Sequence, residues 1–112
     1  MLYIGIDLGT SAVKLLLMDE TGKIYNIVSK EYTLYFPKPG WAEQNPEDWF
    51  IQTTEGIKEL TDKFDKTKIK GISFSGQMHG LVVLDREDKV IRPALTPPNI
   101  AFPIAWSVIY LC

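Results

Sequence analysis

Two short stretches hold the residues best suited to chemistry. The first is IGIDLGTSAVK, in which Asp7 interrupts an apolar run and is followed by Gly9, Thr10 and Ser11. An ionised carboxylate within a buried strand is costly unless something pairs with it. A hydrated divalent metal at the strand's end would do so. Glycine permits a tight turn and lets the backbone approach a phosphate, while the hydroxyls and amides of Thr10 and Ser11 add donors. The same residue types cap ordinary hairpin turns, so this segment alone leaves both readings open. No Gly-Lys-Ser/Thr follows, and there is no GxGxxG fingerprint, so the two common phosphate-loop patterns are excluded.

The second stretch is SFSGQMHGLVVLD, which contains the chain's one histidine, His79, between Met78 and Gly80. With a single imidazole, neither a histidine metal pair nor a histidine relay is available. Such a ring is either a hydrogen-bonded structural group or a ligand contact. The structural role is the commoner one for a single histidine beside glycines, but its place after a strand adds weight to the contact, because loops at strand ends of open α/β sheets gather ligands. Gly76 and Gly80 would keep the surroundings uncrowded. Gln77 offers a donor and an acceptor and Met78 an apolar wall, the mixture that a polyol or sugar requires. Trp41, Glu43, Gln44 and Trp49 read as a helix start and core packing, and Lys14 as a solvated or snorkelling residue.

The elements that must position these residues follow from periodicity. Tyr3 to Leu8 and Ala12 to Met18 read as strands joined by the Gly9–Ser11 turn. Asp19 to Lys23 is a polar hairpin turn ending in Gly-Lys, and a third strand runs from about Ile24 to Thr33. The stretch FPKPGWAEQNPEDW is expected to be irregular up to Asn45. There an N-cap side chain, a proline and two acids predict a helix start. Phe50, Ile57, Leu60 and Phe64 are expected on the buried face of that helix, with Lys58, Glu59 and Asp62 in water. Ile69 to Ser75 is a strand, and Leu81 to Leu84 pairs with Val90 and Ile91 around DREDK. This order predicts the α/β class, a mixed sheet with a flanking helix.

Bulk properties narrow the classes further. The chain has 112 residues, 46% hydrophobic and 12% aromatic, with a formal net charge of −2. That suffices for a packed core and makes one domain or part of one. The charges are mixed, with no basic block, so neither nucleic acid nor an anionic membrane is an expected partner. A lone cysteine, Cys112, and the lack of a signal-peptide pattern fit a cytoplasmic setting.

The blocks IGIDLGTSAVKLLLMDETGKI, PGWAEQNPEDWF, ISFSGQMHGLVVLD and KVIRPA, in this order, resemble the N-terminal domain of the FGGY carbohydrate kinases over residues 1 to about 94. Within the family the resemblance is strongest to the branch that phosphorylates D-xylulose. Gluconate-type members share the Gln-Met-His core, whereas glycerol-type members carry a different segment there. The resemblance implies an actin-like, ribonuclease H-like fold, with ATP and Mg²⁺ as cofactors and a small-molecule sugar, D-xylulose, as substrate. It puts Asp7 near the Mg²⁺ (through water) and the phosphates, with Gly9, Thr10 and Ser11 facing the phosphoryl group. Gln77, Met78 and His79 would contact the sugar. The family's general base lies in sequence this chain does not have, so no catalytic residue is assigned and the chain alone is expected to be inactive. Alternatives are a gluconate or related polyol kinase, a non-catalytic sugar-binding or interaction module, and an actin- or chaperone-like ATPase lobe; the Gln-Met-His and Pro-Gly-Trp segments argue against the last.

Residues 95–112, LTPPNIAFPIAWSVIYLC, carry no charge and depart from the family pattern. They are expected to be an atypical apolar tail, frameshifted or truncated. Pro97, Pro98 and Pro103 would interrupt a membrane-spanning helix. The tail's apolar residues would cover core surface or drive self-association, such as a homodimer.

Overall fold

The computed structural model describes residues 1–76 and 80–96, together with the backbone of 107–110. In chain order the elements are β1 (Leu2–Leu8), β2 (Ala12–Asp19), β3 (Ile24–Glu31), β4 (Ala42–Gln44), α1 (Pro46–Thr61), a 3-10 turn (Lys66–Lys68), β5 (Ile69–Gly76), β6 (Leu81–Leu84), β7 (Ala94–Thr96) and β8 (Ser107–Tyr110). They fall into two units. One comprises Met1–Tyr32 with Trp49–Gly76, the other Thr33–Asp48 with Gln77–Cys112.

The first unit is a four-stranded sheet in the order β3-β2-β1-β5. β1, β2 and β3 form an antiparallel meander, and β5 returns parallel to β1. A parallel return needs a crossover connection, and α1 lies on it. Alternation along β1 and β2 buries Ile4, Ile6, Val13, Leu15 and Leu17 on one face, where Val28, Tyr32 and Leu60 join them. Trp49, Ile57, Phe64 and Ile69 pack against this cluster. The helix comes so close to the sheet at Gly56 that a Cβ there would lie 2.6 Å from Leu15 Cδ1. Asn26 Nδ2 donates to the carbonyl of Leu60 at 3.1 Å, and Lys30 pairs with Glu59.

Phe50 departs from expectation. It is 68% exposed, and Trp49 packs against the core in its place. The buried arc runs through Trp49, Gly56 and Leu60, which leaves Phe50 about 100° away from Trp49 in the first turn. The helix start is as read: Asn45 Oδ1 accepts from Glu47 N at 3.1 Å. Pro46 begins the helix, with Glu47 and Asp48 in its first turn.

The Asp19 turn holds β2 to β3. Its carboxylate accepts from the Thr21 amide and hydroxyl, the Lys23 amide and the Tyr25 hydroxyl. These donors, the Thr21 hydroxyl foremost, lower its pKa to about 2. Gly22 adopts φ +86, the left-handed conformation this turn requires.

The first unit is the expected mixed sheet with a flanking helix, and the second unit adds strands outside that sheet. They form a separate sheet in the order β4-β7-β6-β8. β4 lies within the stretch read as irregular; all three of its residues are buried, so no alternation marks it. Arg92 pairs with the buried Glu43, and Thr96 Oγ1 donates to the Ala42 carbonyl at 3.2 Å. The DREDK hairpin is present, with Leu84 bridged to Val90 and Asp85 Oδ1 accepting from the Glu87 and Lys89 amides. Leu95 and Thr96 belong to β7 and 107–110 form β8, while the rest of the tail reading lies outside the described residues. Among the described residues, no helix is long and apolar enough to cross a membrane.

Replacing Gly56 with valine should overpack a site where the Leu15 side chain, 1% exposed, would have to shift within the core. The expected loss is about 1–3 kcal/mol of unfolding free energy, read from urea denaturation. Undiminished stability in Gly56→Val would refute the close approach.

Candidate functional site

Asp7 is the next-to-last residue of β1. Its neighbours Ile4 and Ile6 are buried against the core, so the two-residue period of a strand sends Asp7 to the opposite face. There it is exposed, which corrects the reading of a carboxylate in a buried strand. Its desolvation cost is correspondingly small, and no partner is needed to offset it. Ser75 Oγ on β5 donates to Asp7 Oδ1 at 2.9 Å. Pairing places Lys14 of β2 directly across from Asp7. Lys14 had no assigned role in the sequence reading, because only the strand register reveals this juxtaposition. Asp7, Lys14 and Ser75 share a concavity of about 540 Å³ on this face, floored by Gly5, Leu16 and Ser73.

The turn after β1 is tight. Gly9 N donates to the Ala12 carbonyl at 2.9 Å. A Cβ on Gly9 would sit 2.9 Å from that same backbone oxygen, so any side chain there would force the hairpin apart. Thr10 and Ser11 occupy its exposed tip.

Tyr32, just past β3, braces the turn. Its hydroxyl donates to the Gly9 carbonyl and lies 3.1 Å from that of Ala12, and its amide donates to the Ser11 carbonyl at 3.1 Å. Burial, assisted by the negative charge of Asp7, pushes the phenol up to about 12. Sequence reasoning missed this residue, since a tyrosine at the end of a strand gives no local sign of a partner more than twenty residues upstream.

β5 ends at Gly76, which pairs with Leu8 at the corresponding end of β1. Gly76 therefore lies beside the Asp7–Gly9 corner. Gln77, Met78 and His79 follow at once, and they lie outside the described residues. Among the described residues, the atom that a Cβ on Gly80 would meet is Leu95 O, at an ordinary 3.8 Å.

Residues 2–97 match the model of the FGGY family of carbohydrate kinases, N-terminal domain. The chain belongs to this family. Over 94 residues it is 52% identical to the xylulose kinase of Bacillus subtilis (strain 168), covering 82% of this chain and 19% of that protein. It superposes with TM-score 0.80 and 42% identity on a ligand-bound xylulose kinase from Lactobacillus acidophilus, covering 85% of this chain and 19% of the other. A gluconate kinase from the same organism matches with the same TM-score, identity and coverage. The fold is thus the actin-like, ribonuclease H-like one of these kinases, of which the chain spans about a fifth of the length.

The raised pKa of Tyr32 has a consequence for stability. Its contribution is complete below the ordinary tyrosine value of 10.0 and is lost as pH rises from there through about 12. Thermal midpoints measured from pH 9 to 11.5 should fall more steeply for the wild type than for Tyr32→Phe. Parallel curves would show that the phenol is not held protonated by the fold.

Proposed function

We propose that this chain carries the phosphate-facing and sugar-facing segments of an ATP-dependent sugar kinase. The reaction of the whole protein would transfer the γ-phosphoryl of MgATP to a hydroxyl of D-xylulose. A phosphorus–oxygen bond forms to the sugar as the bond between the γ-phosphorus and the β–γ bridging oxygen breaks. ADP leaves, and the hydroxyl proton passes to a base that no residue of this chain is assigned to supply.

The observation that carries this reading is the corner formed by Asp7 and the Gly9–Ser11 turn. A carboxylate stands exposed at a strand end, one oxygen fixed by Ser75, beside a turn whose glycine excludes a side chain. The donor set suits Mg²⁺ bound together with phosphates, which needs only one or two protein carboxylates and keeps several waters. Asp7 would hold the ion through water. When bound, Mg²⁺ neutralises charge on the phosphate oxygens. The protein's part is to position: Gly9 admits the phosphoryl group close to the backbone, and Thr10 and Ser11 offer amide and hydroxyl donors. Lys14, across from Asp7, adds positive charge on the same face. Gln77, Met78 and His79 would contact the sugar, with the imidazole bonded to a hydroxyl.

The match to a gluconate kinase favours a second reading, in which the acceptor is gluconate or a related polyol. Calorimetry on the purified chain with D-xylulose and with D-gluconate decides between them. Weak binding of D-xylulose is expected, without turnover when MgATP is added. His79→Ala should weaken it about 3- to 10-fold, the worth of one neutral hydrogen bond. Preference for gluconate would support the second reading, and sugar affinity indifferent to His79→Ala would remove His79 from the site.

A further inference from the structure

We infer that Tyr32 is a positioning residue for the phosphate turn, holding the carbonyls of Gly9, Ser11 and Ala12 on its own side so that the Thr10 amide is turned toward an arriving phosphate. The inference rests on the reading that the Gly9–Ser11 turn faces the nucleotide.

The geometry supports a role beyond packing. Of the four carbonyls from residue 9 to residue 12, three accept from Tyr32: those of Gly9 and Ala12 face its hydroxyl, and that of Ser11 its amide. A phenol has one proton, so the two carbonyls at its hydroxyl share it as a three-centre bond. In a planar trans peptide the carbonyl of one residue and the amide N–H of the next point in opposite directions. Fixing the Gly9 carbonyl toward Tyr32 therefore fixes the Thr10 N–H away from it. A phosphate oxygen approaching that side meets an amide dipole in place of a carbonyl lone pair, the arrangement by which backbone turns bind anions. Tyr32 itself is 8% exposed, with its ring in the core cluster, and so acts through the turn without touching a ligand.

The β2–β3 turn provides an internal comparison. Gly22 N donates back to the Asp19 carbonyl at 3.0 Å, a hairpin bond of the opposite sense to that of Gly9, which donates forward to Ala12, and Asp19's own side chain organises that turn. In the Gly9–Ala12 segment, bonds to the backbone come instead from another strand, through the Tyr32 hydroxyl and amide.

The test uses the ¹⁵N-labelled 112-residue chain, its Tyr32→Phe variant, which keeps the ring, and Val28→Ala as a control that weakens the same core at another residue. Amide exchange is followed at Gly9 and Gly22 without ligand, and MgATP is then titrated while the Thr10 and Ser11 amides are observed. In Tyr32→Phe, exchange at Gly9 should accelerate at least about fivefold more than at Gly22, and apparent MgATP affinity should fall about 3- to 10-fold, the effect of losing one hydrogen bond. Val28→Ala should accelerate both amides alike. Equal acceleration at Gly9 and Gly22 in Tyr32→Phe would overturn the inference, reducing the hydroxyl to a contribution to overall stability. So would a loosened turn that binds MgATP as tightly as before. Wild-type Thr10 and Ser11 amides that ignore MgATP would instead overturn the phosphate reading, and with it the positioning role, while a selective Gly9 effect would still identify Tyr32 as the brace of the turn.

Discussion

Burying Ile4 and Ile6 against the core obliges Gly5 and Asp7 to leave the other face of the sheet, because successive side chains of a strand alternate. Much of the candidate site follows from that constraint. β1 is also the strand on which the sheet is organised, with β2 antiparallel on one side and β5 parallel on the other. Lys14 and Ser75 are thereby aligned with Asp7 from its two neighbours. A shift of one residue in either register would send those side chains to the opposite face. The apolar core thus sets the address of the polar corner.

Two close approaches make the arrangement rigid. Gly56 lets α1 settle onto Leu15, and Gly9 lets the first hairpin close onto the carbonyl of Ala12. Tyr32 joins the two regions, since its ring belongs to the core cluster and its hydroxyl reaches the turn. Core stability and turn geometry are consequently coupled through one side chain. Asp19 and Asp85 anchor their turns by a local route, each collecting backbone amides two and four residues ahead.

The second unit rests on different physics. Its sheet buries polar residues, Glu43, Gln44 and Thr96, alongside Ala42, Val82 and Ala94. Pairing of Glu43 with Arg92 and the bond from Thr96 to the Ala42 carbonyl meet the requirement that buried polar groups find partners. On the first unit, Ile72 and Phe74 align with Ile4 and Ile6 across the β1–β5 pairing, yet are 50% and 64% exposed. They sit on the edge strand of their sheet, where burial of the aligned β1 residues does not extend to them.

Strong local signals made much of this legible in advance. The three-strand meander, the Asn45–Pro46 helix start, β5 and the Asp85 hairpin each depend on turn chemistry or periodicity within a short window, and the blocks at residues 4–24 and 72–85 carried most of the resemblance to the family. β4 escaped because three consecutive buried residues carry no period, and Phe50 was misplaced because one residue of helical phase separates it from Trp49. Asp7 was read as buried since composition shows an apolar run without saying which face is covered. The pairing of Asp7 with Lys14 and Ser75, and the bracing of the Gly9 turn by Tyr32, were decided only by tertiary structure. They join residues 7, 20 and 68 positions apart, and such contacts depend on strand register, which no local stretch encodes.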